Sequence, residues 1–285
     1  MRPGPAWLLM TRLPEILLKT GKRLDLLQRR LRFLISASAA NPWRMPVLDR
    51  SLFRGKRVVV LGPAATVFDD LQEVDVESFD FIVRLNNGIA LALEHPEKLG
   101  SRTDILFHNL NEDGARNAGA IPPSLLLQHK VRFCVFPHWG FKGSKTRKAR
   151  LYAKKKELST YPQISLVVPP ATFCEQVRRD LAGHQPTTGT SAILFFLQCE
   201  LKELQLHGFS FFETRYVSGY NHAVTTDKEA QDWAAASTVH DPSREKAPLR
   251  KSIAEARKAG MSVILGNNVA RFLATDGAAD EVPVR

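Results

Sequence analysis

The sequence predicts an α/β fold that is built around a mostly parallel sheet. Short apolar runs bounded by Gly, Pro and Asn alternate with longer segments of helical periodicity, and this alternation is typical of a doubly wound sheet. Apolar residues make up 44% of the 285 residues, which is enough for a large buried core. In such sheets the loops after the carboxyl ends of the strands carry the binding groups, so candidate site residues are expected there.

Each predicted strand is a short run rich in Val, Ile, Leu or Phe that ends in a turn or a polar loop. The run 58–61 is continuously apolar, as expected of a central strand that is covered on both faces. A buried helix is predicted over 190–201, where apolar residues dominate. The predicted strands, some of which run into their loops, are 57–63, 79–84, 104–108, 131–136, 203–209 and 262–266.

Positive charge is concentrated in the N-terminal part of the chain. Residues 1–57 contain 13 Lys or Arg and 3 acidic residues, and the whole chain has a net charge of +11. Apolar residues recur here at helical spacing, so residues 1–50 are predicted to form a basic amphipathic helical segment and linker, followed by one domain over 51–285. The helix fits an anionic membrane surface, or equally a packing site on its own domain or on a second subunit.

The composition excludes several classes of protein. No run of about 18 apolar residues occurs, so no membrane-spanning helix is predicted, and the interleaved charges disfavour a signal peptide. Charge outside the N-terminal segment is nearly balanced, so no nucleic acid partner is expected. The three cysteines, Cys134, Cys174 and Cys199, lack metal-ligand spacing, which predicts neither a zinc site nor a disulfide framework and fits a reducing compartment.

Three loops carry groups that suit a nucleotide. The loop around Gly62 is small, which lets backbone amides approach a phosphate, although many turns of this kind look alike. The second loop carries Asn86, which is either a ligand or a turn former. In the third, Thr187, Thr188 and Gly189 stand at the start of the predicted helix, where they suit a carboxylate or phosphate, or form an ordinary cap.

Two histidines, His222 and His240, lie in polar loops downstream of these three loops. A lone histidine is more often structural than catalytic. Imidazole titrates near neutrality, however, and both residues follow candidate ligand loops, so both are candidates for proton transfer.

A strongly basic run occupies residues 141–156, which contain 8 Lys or Arg and no acidic residue. Such a run is usually the solvated face of a helix. The alternative is a mobile cationic lid near a phosphate-bearing substrate.

All three candidate loops lie in stretches that resemble two motifs of the sialyltransferase family. The stretch 58–109 is similar to the long motif, with a hydrophobic strand, a Gly-led loop, the run 79–86 and the run 99–104. The stretch 187–209 is similar to the short motif.

The two histidines also fall in places that the family's motifs predict. His222, with Tyr220 and Asn221 before it, stands where the third motif is expected, and His240 with Glu245 five residues later reproduces the last motif. The resemblance covers about residues 57–250, roughly two thirds of the chain, and four motifs in the same order are not expected by chance.

The resemblance implies a variant of the GT-A nucleotide-sugar transferase type with a single Rossmann-like domain. It implies an inverting glycosyltransferase that moves sialic acid from a CMP-activated acidic sugar donor to a glycan acceptor hydroxyl, without cofactor or metal. His240 is then the general base, His222 lies by the donor phosphate, and Glu245 supports the last motif at the donor site. The remaining donor-binding residues are expected to be Gly62, Asn86, Thr187, Thr188 and Gly189.

The chain departs from the animal members of the family at three places, and the expected lack of both a membrane anchor and a disulfide favours a bacterial-type enzyme. Pro63 stands where the animal enzymes have Asn, the Cys that usually opens the long motif is absent near Lys56, and the third motif lacks consecutive tyrosines. Cys199 therefore has no evident disulfide partner. The expected location is the cytoplasm, with peripheral attachment to the inner face of the cell membrane as a further expectation.

Two alternative functions fit the same residues. A CMP-Kdo-dependent transferase acting on a lipopolysaccharide or capsule acceptor makes the same chemical demands, because the octulosonate donor shares the CMP link and the carboxylate. A non-catalytic nucleotide- or anion-binding module would bind CMP without releasing it from a sugar.

Overall fold

In a computed structural model of the chain, the described residues are 45–114, 117–139, 141, 145–237 and 239–274. The segment 1–44, with its predicted amphipathic helix, lies outside them, as does part of the basic run 141–156. Across the described ranges, no helix combines the length and the apolar character needed to cross a membrane.

The centre of the fold, in the described residues, is one sheet of seven parallel strands. They are β1 (Arg57–Leu61), β2 (Phe81–Leu85), β3 (Ile105–Phe107), β4 (Phe133–Val135), β5 (Ser165–Val167), β6 (Glu203–His207) and β7 (Ser262–Leu265). The order in the sheet is β5-β4-β3-β2-β1-β6-β7, which confirms the predicted α/β fold. The chain runs outward from β1 to β5 and then returns to place β6 beside β1. Ligands of open parallel sheets bind at such a switch point.

Helices cover both faces of the sheet. In the described part of the chain they are α1 (Val67–Asp70), α2 (Gly88–Glu94), α3 (Pro96–Leu99), α4 (Pro123–Gln128), α5 (Lys145–Leu158), α6 (Ala171–Asp180), α7 (Thr188–Leu197), α8 (Asp227–Ala235), α9 (Lys246–Lys258) and α10 (Asn267–Ala274). Short 3₁₀ turns occur at Arg50–Phe53, Val76–Ser78 and Pro242–Arg244.

The apolar run of β1 is continuous because the strand is packed on both faces. Val58 and Val60 belong to one core cluster, and Val59 and Leu61 belong to a cluster on the opposite face. Alternation of side chains along a strand produces this division. The helix predicted over 190–201 is α7, whose apolar side chains belong to the first of these clusters. It begins two residues and ends four residues earlier than predicted.

Strand β5 was not predicted. It has only three residues and lies at the edge of the sheet, beyond which Val168 forms an isolated bridge with Val47. So short a strand has no readable period, and Pro169 follows at once.

The loops after β1 and β6 touch at the switch point. A Cβ atom on Gly62 would overlap the carbonyl oxygen of Gly208, and Ala64 donates its N–H to that oxygen at 3.0 Å. Asp70 of α1 accepts the N–H of Gly208 at 3.0 Å and the N–H of Asn268 at 2.9 Å. Gly62 is therefore required by close packing of two loops at the mouth of the site.

Candidate active site

A cavity of about 550 Å³ opens at the carboxyl ends of β1, β2 and β6. This volume lies within the usual range of small-molecule sites, roughly 300–1,000 Å³. The fold brings the second and third candidate loops and the last motif together on its wall. The predicted site residues that line it are Asn86, Thr187, Thr188, Gly189, His240 and Glu245.

Asn86 is a fixed polar group at the end of β2. Its backbone is in the left-handed region (φ 48°), which Asn tolerates better than most residues. Its N–H donates to the carbonyl oxygen of Phe107 at 2.8 Å, and its Oδ1 accepts the N–H of Asn109 at 3.2 Å. Asn86 is thereby held with its amide on the cavity wall.

The amino end of α7 faces the cavity. Thr187 is the N-cap, and its Oγ1 accepts the N–H of Thr190 at 3.2 Å. The first amides of a helix have no acceptor within the helix and carry a partial positive charge, so Thr188 and Gly189 suit an anion. A Cβ on Gly189 would come to 3.0 Å from the Phe209 ring, so a larger residue there would crowd the wall.

Glu245 ties the last motif to this helix terminus. Its Oε1 accepts the N–H of Thr187 at 2.6 Å, its Oε2 accepts the Thr187 hydroxyl at 2.8 Å, and Oε2 also accepts the Thr190 hydroxyl. Burial raises the pKa of Glu245 to about 7, although these hydrogen bonds oppose the shift. Glu245 therefore holds the two threonines at the amino end of α7 in place.

His240 has a defined tautomer. Its Nδ1 lies 3.0 Å from the carbonyl oxygen of Gln185, and because a carbonyl oxygen only accepts, Nδ1 carries the proton. Nε2 is then the basic nitrogen of the neutral ring. Burial lowers the pKa of His240, and the positive charge of Arg147 lowers it further, while the bond to Gln185 opposes the shift. The imidazole is therefore neutral at neutral pH, as a general base must be.

A second histidine, His138, lies beside His240 and was not predicted. The two ring centroids are 5.9 Å apart, and Nε2 of His138 donates to the carbonyl oxygen of Pro186 at 3.1 Å. Burial holds the pKa of His138 well below its ordinary value. The two imidazoles thus bond to successive carbonyl groups of one loop. His138 lies three residues after the end of β4, and that position near a strand end was the signal available in the sequence.

The basic run forms part of the cavity wall. Arg147 and Arg150 of α5 line the cavity, and Nη1 of Arg147 donates to Oε1 of Gln185 at 2.7 Å. The run is therefore more than a solvated face, although Lys148 and Lys156 on the same helix are exposed. Its predicted motion as a lid stays a prediction.

Aromatic side chains also line the cavity. The rings of Tyr216 and Tyr220 are 4.9 Å apart. Burial raises the pKa of both phenols, to about 12 for Tyr220, where a hydrogen bond with Asn86 opposes the shift. Both hydroxyls therefore stay protonated and can donate hydrogen bonds at neutral pH. The wall also includes Phe211, Phe212 and Trp233.

Two predicted site residues do not line the cavity. Gly62 lies just behind Pro63 and Ala64, which do line it, and His222 is exposed next to the lining residue Asn221. This geometry does not support a direct contact of either residue with the donor, so both contacts stay predictions. In the described ranges, no group of three or more His, Cys, Asp or Glu side chains is placed to hold a metal ion.

Comparison with known proteins gives a likeness among solved structures. No family model matches the chain, and no curated protein does so. A mammalian sialyltransferase in complex with Gal-beta-1-3GalNAc-ortho-nitrophenol is 19% identical, with a TM-score of 0.45, over 82% of this chain and 77% of that chain. The monofunctional alpha-2,3-sialyltransferase Cst-I from Campylobacter jejuni is 13% identical, with a TM-score of 0.46, over 78% and 80%.

The sialyltransferase CstII from Campylobacter jejuni, in complex with cytidine-5'-monophosphate, is 15% identical, with a TM-score of 0.39, over 76% of this chain and 83% of that chain. All three are sialyltransferases. Because the identities are low, the roles of individual residues rest on the geometry of this chain's own cavity.

Proposed function

We propose that this chain is an inverting, metal-independent glycosyltransferase that transfers sialic acid from CMP-sialic acid to a glycan hydroxyl. The observation that carries the proposal is the placement of His240. Its tautomer is set by the Gln185 carbonyl, and it shares one cavity with Asn86 and the amino end of α7. A neutral base and an anion-binding helix terminus in one cavity fit group transfer from an anionic donor.

On the acceptor side, Nε2 of His240 takes the proton of the attacking hydroxyl. The new bond forms between that oxygen and the anomeric carbon while the bond to the CMP oxygen breaks. A single displacement of this kind inverts the anomeric centre. Burial and the Arg147 charge lower the pKa of His240, and they keep Nε2 unprotonated before the step.

On the donor side, the protein must hold a nucleotide, a carboxylate and a departing phosphate. The amides of Thr188 and Gly189 at the α7 terminus suit an anionic group. The protonated phenols of Tyr216 and Tyr220 can donate to phosphate oxygens as negative charge develops there. Asn86 offers an amide to the nucleotide part. Fixed donors of this kind stabilise the leaving group because they need no reorganisation.

A panel of sugar nucleotides tests the proposal. We expect release of CMP from CMP-sialic acid, faster with glycan acceptors than with water alone, and unchanged turnover in EDTA. CMP-Kdo and UDP-sugars serve as comparison donors. Faster transfer from CMP-Kdo would show that the donor is CMP-Kdo. Activity that EDTA abolishes and that only Mg²⁺ or Mn²⁺ restores would contradict metal independence. Failure to release CMP from any donor would favour a non-catalytic binding module.

The N-terminal segment is proposed to attach the protein to anionic membranes. Its excess of basic residues on an amphipathic pattern predicts binding to phosphatidylserine vesicles, because each Lys or Arg near the membrane surface contributes about 1 kcal/mol. Binding should weaken steeply with added salt, because the Debye length is only about 10 Å in 0.1 M salt. Sedimentation with vesicles measures it. Neutral phosphatidylcholine vesicles are the control, and equal sedimentation of a variant lacking residues 1–45 would exclude the attachment.

A further inference from the structure

One face of α5 presents two arginines to the cavity. Arg147 and Arg150, one turn apart, both line it. Lys154, two turns along from Arg147, is buried and forms ion pairs with Glu112 at 2.8 Å and Glu157 at 2.7 Å. Breaking these ion pairs would leave a buried charge uncompensated, so the pairs hold α5, which carries the arginines, in place.

Gln185 links Arg147 to the expected base. The side-chain Oε1 of Gln185 accepts from Arg147 at 2.7 Å, and the backbone oxygen of the same residue accepts from Nδ1 of His240 at 3.0 Å. A group bound at Arg147 therefore lies close to the imidazole. Under the proposed function the substrate next to His240 is the acceptor, since His240 removes the acceptor proton.

Two guanidinium groups favour an oxyanion. Their planar forks match the oxygens of a carboxylate or phosphate, and arginine stays charged at neutral pH. Arg150 also pairs with Asp113 at 2.9 Å, but the Asp113 side chain is 82% exposed. An exposed pair contributes little to stability, so a substrate anion can replace it. The proposed function assigns the anionic group of the donor to the amino end of α7 instead.

We propose that Arg147 and Arg150 bind a carboxylate or phosphate group of the acceptor, so that the preferred acceptor is an acidic glycan. This inference rests on the proposed function, and it adds the class of acceptor. Arg147 and Arg150 are then specificity-determining residues, and they act on acceptor binding rather than on departure of CMP.

Matched acceptors that differ in one carboxylate provide the test. The pairs are p-nitrophenyl β-galactoside with β-galacturonide, and β-glucoside with β-glucuronide, with CMP-sialic acid as the donor. For the wild-type protein we expect a lower acceptor KM for the acidic member. Loss of charged hydrogen bonds in Arg147→Gln or Arg150→Gln should raise that KM about 10–100-fold, with little change for the neutral member or for the donor KM.

Two controls isolate the arginines. Lys148→Gln removes one charge from an exposed position of the same helix and should leave both KM values unchanged. Arg147 also lowers the pKa of His240, so the assays are run at about pH 8, where an imidazole is unprotonated with or without that charge. If Arg147→Gln is unstable, Arg150→Gln carries the test, because the Arg150 side chain is 38% exposed and its ion pair with the exposed Asp113 is weak.

The outcomes test the acceptor site and the proposed transferase function separately. Loss of the acidic preference in the arginine variants supports the acceptor site. A raised donor KM with an unchanged acceptor KM in the variants would assign the arginines to the donor carboxylate. A preference of the wild-type protein for neutral acceptors would also overturn the inference, but it would not contradict the proposed transferase function. Absence of transfer to every acceptor would overturn the proposed function and the inference together.

Discussion

His240→Ala is expected to lower turnover about 10²–10⁴-fold while the affinity for CMP changes little. The imidazole acts on the acceptor proton and does not bind the nucleotide. Its bond to the Gln185 carbonyl places the proton on Nδ1 and leaves Nε2 as the base. Turnover, CMP affinity and folded fraction, measured on one preparation, separate loss of chemistry from loss of structure.

The pH profile of the wild-type enzyme gives an independent measure of the same base. A general base works only when unprotonated, so kcat/KM should fall as the pH drops through the pKa of His240. Burial and the Arg147 charge lower that pKa, and the acidic limb should therefore lie below the usual histidine value of about 6.5. A well-folded His240→Ala enzyme with near-normal turnover would place the base elsewhere.

His222→Ala is the matched comparison. If His222 contacts the donor phosphate, as the sequence resemblance implies, the variant should bind donor more weakly. Its exposed position outside the cavity wall instead favours a small effect. An unaltered donor KM would show that the motif position of His222 does not carry the predicted role in this chain.

The fold was predictable from the sequence where a run of apolar residues indicates a buried strand or helix. The run 58–61 is apolar because β1 has a packed cluster on each face, and α7 was visible because nearly all of its side chains are buried. Strand β5 was missed because three residues at a sheet edge show no period. The expected approach of a phosphate to the Gly62 loop stays a prediction, and the close neighbour of Gly62 that the structure shows is the Gly208 loop.

The candidate site was predictable only in part, because its key contacts are distant in sequence. His240 and the α7 terminus were found from a motif and a cap. The bond between His240 and Gln185 joins positions 55 residues apart, and the bond between Arg147 and Gln185 joins positions 38 apart. No spacing rule connects such residues, so the link from Arg147 through Gln185 to His240 emerged only from the folded chain.

Glu245→Ala is expected to lower the free energy of unfolding by about 3 kcal/mol, because the two donors of the half-buried Thr187 and the buried hydroxyl of Thr190 lose their acceptor. Donor affinity should fall as well, since the same carboxylate holds the N-cap of α7. Chemical denaturation and donor KM measure the two effects. Normal stability would mean that water or a neighbouring group satisfies the threonines.

Glu245→Gln separates the charge of this side chain from its shape. The folded pKa of about 7 lies above the value of 4.5 for an exposed carboxyl, so the folded state binds the proton more tightly. That contribution to stability is complete below about pH 4.5 and is lost as the pH rises to about 7, which amounts to roughly 3 kcal/mol. The amide has no such dependence. The free energy of unfolding of the variant should therefore rise relative to that of the wild type between pH 5 and pH 8. Parallel denaturation curves measure this difference, and a difference that does not change with pH would show that folding does not shift the pKa of Glu245.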